Sequence, residues 1–164
     1  MIIKEISGRR SIRNYKPDPI PDDALTEIIK AAEFAPSGRH IRPLEYIIIK
    51  NPDTKKKLFD IFGDDFIKEA PALIIPVGDT QKSTLYMQDL SIASGYMFLQ
   101  AVSLGFGTVW KNVNEEKKGQ IKALLGIPAH YTLINLIPVG CPAEILPPHT
   151  DSEFESGKIH RENF

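Results

Sequence analysis

The stretch Thr84–Leu104, TLYMQDLSIASGYMFLQAVSL, decides the fold. Its apolar residues keep to no single stripe: Leu85, Leu90, Ile92, Met97, Leu99 and Val102 fall on different sides of a helix. A helix that is apolar all round is buried all round. At 1.5 Å per residue it is about 30 Å long, the diameter of a small domain. Asp89, Gln88, Gln100 and three serines, with no positively charged flank, argue against a membrane span. The stretch therefore reads as a central helix walled in by the rest of the fold, with or without a second subunit.

The surrounding chain bounds the protein class. Its 164 residues suit one domain with a core of ordinary size. Hydrophobic residues make up 42% and charged residues 25%, the balance of a soluble globular chain. A net charge of −1 gives no reason to expect nucleic acid or an anionic membrane as a partner. One cysteine leaves no disulfide framework and no cysteine-only zinc site. The first residues hold too short an apolar run for a signal peptide, so the cytoplasm is the expected compartment.

Read outward from the central helix, the chain alternates helices and short apolar runs. A helical start over residues 2–7 precedes Gly8-Arg9-Arg10-Ser11-Ile12-Arg13-Asn14-Tyr15. Three arginines and a serine within five residues make a local anion trap, because the guanidinium fork gives phosphate two parallel charge-assisted bonds. A solvated basic turn has the same spacing. The prolines at 17, 19 and 21 stiffen a connector. A helix then runs from Asp22 to about Phe34 and stops at Pro36. Residues 35–43, APSGRHIRP, form an unusually basic loop, or a plain surface one. Leu44–Lys50 reads as an inner strand. A helix follows from about Thr54 to Phe62. Ala72–Gly78 is a second strand, which Pro76 places at an edge or a bulge.

After the central helix, Gly105 and Gly107 punctuate a turn into a short extended segment. A helix from Asn114 to about Leu125 and a third strand over Tyr131–Val139 complete the core. From Leu146 to Gly157 the composition is Pro, His, Ser, Asp and Glu, an arm with no core of its own. His149, Asp151 and Glu153 lack the supporting shell of a metal site. Cys141 reads as a small packing residue.

Several of these pieces, taken in order, resemble the nitroreductase family of flavin enzymes. They are Arg9–Tyr15, Ala35-Pro36-Ser37 with Arg42-Pro43, Asp89–Ala93, Leu104–Trp110, Leu124–Pro128 and Pro138–Gly140 with Pro142-Ala143-Glu144. The resemblance covers most of the chain. It implies an α+β fold with a mainly antiparallel central sheet flanked by helices. It implies a long buried helix at a homodimer interface and one domain over 1–164, with 145–164 an arm on the partner subunit. It also implies FMN bound between subunits. NAD(P)H would be the electron donor and a nitroaromatic or quinone the acceptor. Arg9, Arg10, Ser11 and Arg13 match positions that hold the FMN phosphate and the polar ring edge. Pro36 and Ser37 match a loop that reaches FMN across the interface, with His40 and Arg42 adding positive charge there. Val109, Trp110 and Lys111 match a segment beside the flavin.

Two departures stand out. The cation that commonly helps bind phosphate near the C-terminus has only Lys158 or Arg161 as candidates. The insertion that often shapes the substrate pocket after the second strand is absent. Two other functions remain open at this point: a flavin carrier or sensor without turnover, and, setting the resemblance aside, a plain phosphate-binding module.

Overall fold

The computed structural model describes residues 2–164. Its centre is β2 (Ala72–Asp79), every residue of which is buried. Side chains alternate across a strand. Leu73, Ile75 and Val77 enter one hydrophobic cluster, while Ala72 and Ile74 enter another on the opposite face. A strand covered on both faces has no need of polar alternation, which explains the continuous apolar run.

β1 (Leu44–Ile49) pairs antiparallel with β2 from Leu44↔Gly78 to Ile49↔Leu73. On its other side β2 pairs antiparallel with β6 (Asn135–Gly140) from Ala72↔Val139 to Ile74↔Ile137. It then pairs with the two-residue β5 (Tyr131–Thr132) at Gly78↔Thr132. Two more short strands, β3 (Gly107–Thr108) and β4 (Lys111–Asn112), join β6 antiparallel. All of these ladders are antiparallel, as the resemblance implies.

Helices cover both faces. α3 (Pro52–Phe62), α4 (Asp65–Glu69) and α6 (Glu115–Leu125) lie on one side, where Leu58, Ile67 and Ile121 are fully buried. α2 (Asp22–Glu33) and α5 (Tyr86–Ser103) lie on the other, with Leu25, Ile28, Leu90 and Met97 fully buried. The caps follow residue chemistry. Asn51 accepts from the Thr54 N–H at 3.0 Å and Asn114 from the Lys117 N–H at 3.1 Å, each satisfying an orphan donor of the first turn. Gly63 and Gly126 end α3 and α6 in the left-handed conformation. Asn135, fully buried in β6, donates to Ser94 of α5 at 3.0 Å and ties helix to sheet.

Several expectations need correction. Leu44–Ile49 forms an edge strand of this chain, not an inner one, because β1 pairs with β2 alone. Of the two places expected for Pro76, an edge or a bulge, the structure shows the second: it lies in an inner strand, where the ladder slips by one residue between Ile74↔Ile137 and Gly78↔Thr132. The β2 ladder toward β6 stops at Ile74 and resumes with β5 at Gly78, so Pro76 sits in a gap where a missing N–H costs no pairing. The third strand is broken into β5 and β6 around Leu133 and Ile134. The first helix, α1, spans Lys4–Gly8.

The central helix is buried on one face only. Asp89, Leu90, Ala93, Ser94, Met97 and Ala101 are buried, while Leu85, Met87, Ile92, Tyr96 and Leu104 are exposed. Within a single chain, half of its apolar surface has no cover. Among the described residues no helix is long and apolar enough to cross a membrane. The arm from Ile145 onward holds two short 3-10 turns, and Ile145, Phe154, Ile159 and Phe164 are exposed.

Candidate functional site

The arginine cluster is placed by the residue in its middle. Ile12 is buried, and its N–H donates to the Thr108 carbonyl at 3.0 Å, continuing a bridge between Ser11 and Thr108. Gly107 makes that approach possible, since a Cβ there would lie 2.6 Å from the Ile12 side chain. Tyr15 fixes the far end, donating its hydroxyl to the Ile12 carbonyl at 2.6 Å. Burial pushes the Tyr15 phenol well above its ordinary range, with Arg13 opposing, so it remains a neutral donor. Arg9, Arg10 and Ser11 are half-buried and Arg13 is exposed.

None of these arginines has a carboxylate partner among the described residues. The ion pairs there use lysines, Arg42 and His149. Arg10 donates instead to the Pro147 carbonyl, at the root of the arm. It lines a cleft of about 210 Å³ with Gly8, Phe106 and Glu144. Guanidinium groups carried by one short segment and free of ion pairs suit an anionic group such as a phosphate.

The Val109–Lys111 segment follows directly on β3 and therefore lies beside the cluster. Val109 is buried and Trp110 is partly exposed, packed edge-on to Phe98 with ring centroids 6.3 Å apart. Lys111 is committed elsewhere. It pairs with Asp64, and its Nζ lies 5.3 Å from the centre of the Phe62 ring.

The 36–42 loop is placed by α5. The Gly38 N–H donates to Asp89 Oδ1 at 2.9 Å. A Cβ on Gly38 would lie 2.6 Å from Leu85, so the loop sits tight against the start of the helix. Arg39, His40 and Arg42 all take positive φ, at 53°, 57° and 52°. Each such non-glycine residue costs about 1–3 kcal/mol and persists only where its surroundings over-determine it. Part of that restraint is local, since Ser37 Oγ accepts from the Arg42 N–H at 3.1 Å.

The Arg42 guanidinium meets Glu33 Oε2 at 2.5 Å and the Glu33 carbonyl at 3.2 Å. Its charge is therefore neutralised within the chain, so of the loop's expected extra positive charge, Arg42 supplies none. Burial first, then the Glu33 carboxylate, pushes the nearby Tyr46 phenol well above its ordinary range. His40 and Pro36 are exposed and Ser37 is half-buried. Of the arm's candidate cations, Lys158 pairs with Glu155 at 2.6 Å and Arg161 is exposed.

One chain thus brings Arg9, Arg10, Ser11 and Arg13 together with Val109 and Trp110, but not with the Lys111 ammonium, which turns to Asp64, nor with Pro36, Ser37, His40 and Arg42. The first set packs near Val102, where a Gly8 Cβ would lie 3.8 Å from that side chain, and the second packs against Leu85. The run of α5 from its N-cap Leu85 to Val102 spans about 25 Å. Reading the sequence missed Glu33 as the partner of Arg42 and Asp89 as the anchor of the loop. A lone carboxylate in an apolar helix was the available signal for the second.

An antiparallel sheet covered by helices on both faces, with a long helix exposed along one side, defines an α+β protein. A family model described as Nitroreductase family matches residues 6–73 and 62–141. A Methanothermobacter thermautotrophicus protein, named provisionally NADH dehydrogenase/NAD(P)H nitroreductase, is 34% identical over 170 residues, covering 99% of this chain and 87% of its own. An Archaeoglobus fulgidus protein with the same provisional name is 32% identical, with 99% and 98% covered. The solved structure of an FMN-dependent nitroreductase from Clostridium difficile is 31% identical, covers 99% of this chain and 100% of its own, and superposes with a TM-score of 0.93. The chain belongs to the nitroreductase family.

Proposed function

We propose that the protein is a homodimeric FMN-dependent oxidoreductase that draws electrons from NADH or NADPH and delivers them to a small acceptor such as a nitroaromatic or quinone. The observation that carries this reading is the division of the site along α5. An arginine cluster with no ion-pair partner among the described residues lies at one end and the Pro36–Ser37 loop at the other, with exposed apolar side chains between them. A two-fold contact through that face sets the first end of one chain against the second end of its partner, because isologous interfaces pair a patch with itself. Two equivalent sites result, each built from both chains. The exposed arm from Ile145 onward, with Ile159 and Phe164, finds its cover on the partner.

The residues present fit FMN. Arg9, Arg10, Ser11 and Arg13 hold the phosphate and the polar edge of the ring. Val109 and Trp110 would flank the ring, and Pro36 and Ser37 of the other chain would close over it. When bound, FMN supplies the redox chemistry, accepting a hydride from the nicotinamide and passing electrons to the acceptor. The protein's part is position, charge and the exclusion of water, and no side-chain nucleophile is required. Family membership and the FMN-dependent relative support this reading.

Anaerobic mixing of the flavin-loaded protein with NADH or NADPH tests it. Bleaching of the flavin, followed by recovery of its colour on adding a nitroaromatic or quinone, is the expected result. A flavin that stays oxidised with both nucleotides would make the protein a carrier or sensor.

A further inference from the structure

We infer that Asp89 is a positioning residue for the flavin site, holding the 36–42 loop in its working shape from the dimer-facing helix. The inference rests on the proposed FMN site and names a residue that stands behind the loop, apart from those proposed to hold the flavin. Asp89 lies in the first turn of α5 and is 3% exposed. One carboxylate oxygen accepts the Gly38 N–H at 2.9 Å, joining residues 51 apart in sequence. The other is buried without a partner. A buried carboxylate that makes one bond is costly to keep in a core, so a hydrophobic residue would serve the helix better. The loop supplies the reason for an acceptor here. Just after Gly38, three non-glycine residues take positive φ, a conformation that the Ser37–Arg42 bond restrains only in part and that persists where the surroundings hold it. Gly38 also has no room to shift toward the helix, because Leu85 already stands against its Cα. The bond to Asp89 thus fixes both the height and the orientation of Ser37 and His40 relative to α5. Since α5 offers its exposed face to the partner, the same bond sets where the loop meets the partner's flavin.

The test uses two readouts. Amide exchange in the flavin-free protein reads the tether, and FMN titration reads its consequence. In wild-type protein the Gly38 N–H should exchange at least about tenfold more slowly than in Asp89→Ala, because a bond to a charged acceptor is lost. FMN should bind Asp89→Ala at least about tenfold more weakly. Asp89→Asn keeps an amide oxygen in the same place and should return both readouts close to wild type. Leu58→Ala, which damages the core on the far side of the sheet, serves as a control for general destabilisation and should leave FMN affinity unchanged. Should Asp89→Ala fail to fold, wild type and Asp89→Asn still decide, since fast Gly38 exchange in both overturns the tether. Equal loss of FMN affinity in Asp89→Ala and Leu58→Ala, or none in either, also overturns the inference. Wild-type protein with slow Gly38 exchange that takes up no FMN overturns the flavin reading and the inference with it, whereas fast exchange in a protein that binds FMN overturns the inference alone.

Discussion

Gly107→Ala puts a methyl group where the arginine cluster is fastened. The new Cβ would lie 2.6 Å from Ile12 Cγ1, 2.8 Å from its Cβ and 3.0 Å from its Cγ2. Rotating the Ile12 side chain relieves the first and third contacts but not the second, which is fixed to the backbone. Moving the backbone breaks the 3.0 Å bond from Ile12 to Thr108. Overpacking of this kind costs about 1–3 kcal/mol. For a chain of this size each 1 kcal/mol lowers Tm by about 2–4 °C, so a loss of about 2–12 °C is expected in flavin-free protein at fixed concentration. Because residues 9–13 move with Ile12, FMN affinity should fall as well. The decisive measurement is a double-mutant cycle with Ile12→Ala. That variant removes the Cγ1 and Cγ2 contacts and leaves only the 2.8 Å one at Cβ, so the double variant should be more stable than the sum of the two single losses, by about 0.5–3 kcal/mol. Strict additivity would refute the packing argument, and unchanged flavin binding in Gly107→Ala would refute its link to the site.

Arg13→Ala should weaken FMN binding by about 1.5–3 kcal/mol in a fluorescence titration, as expected for a lost charge-assisted phosphate contact, yet shift stability by no more than about 0.5 kcal/mol, since Arg13 is exposed. Deleting the residues after Glu144 should reduce dimer stability and flavin content together, and a truncated chain that stays dimeric and yellow would speak against the arm's role. Burial alone would raise the Asp79 pKa, but the N–H groups of Gln81 and Lys82, with the Lys82 ammonium, hold it below the ordinary carboxylate range. A depressed folded pKa contributes stability that is full above the unfolded value of about 3.9 and is lost as pH falls through the folded value. The stability gap between wild type and Asp79→Asn should therefore be wide at neutral pH and narrow below about pH 4 in urea titrations, and a pH-independent gap would remove Asp79 from acid sensitivity. Arg42→Ala should leave reoxidation by a nitroaromatic near the wild-type rate, because Glu33 already neutralises the guanidinium. A marked slowing would mean that the Arg42 charge reaches the acceptor.

Much of this was legible in the sequence, for physical reasons that also mark where reading stopped. The order of helices and apolar runs followed from periodicity and punctuation, and Asn51, Gly63, Asn114 and Gly126 fall where caps belong. Strand position in the sheet was not legible. Leu44–Ile49 and Ala72–Asp79 are both rich in β-branched residues, and only the pairing shows that the first is an edge and the second an inner strand. For Pro76 the residue type left an edge or a bulge open, and only the slip in the neighbouring ladder shows that it is the second. The arginine cluster was legible as an anion trap, since its residues are adjacent in sequence. What held it was not: Ile12 meets Gly107 across most of a hundred residues, and nothing local announces the contact. The same holds for Arg42, whose basic character suggested a field until Glu33, nine residues earlier, was seen to cancel it. The all-round apolar character of α5 pointed to cover from outside the chain, and the exposed half of the helix is the form that need takes.

The claim that two copies share each flavin site is tested most directly by sedimentation of the FMN-loaded protein, followed at once by protein and flavin absorbance over a dilution series. The account predicts a dimer carrying two FMN at high concentration, with flavin leaving the sedimenting species as the dimer gives way to monomer. A monomer that sediments with its full complement of FMN would contradict it.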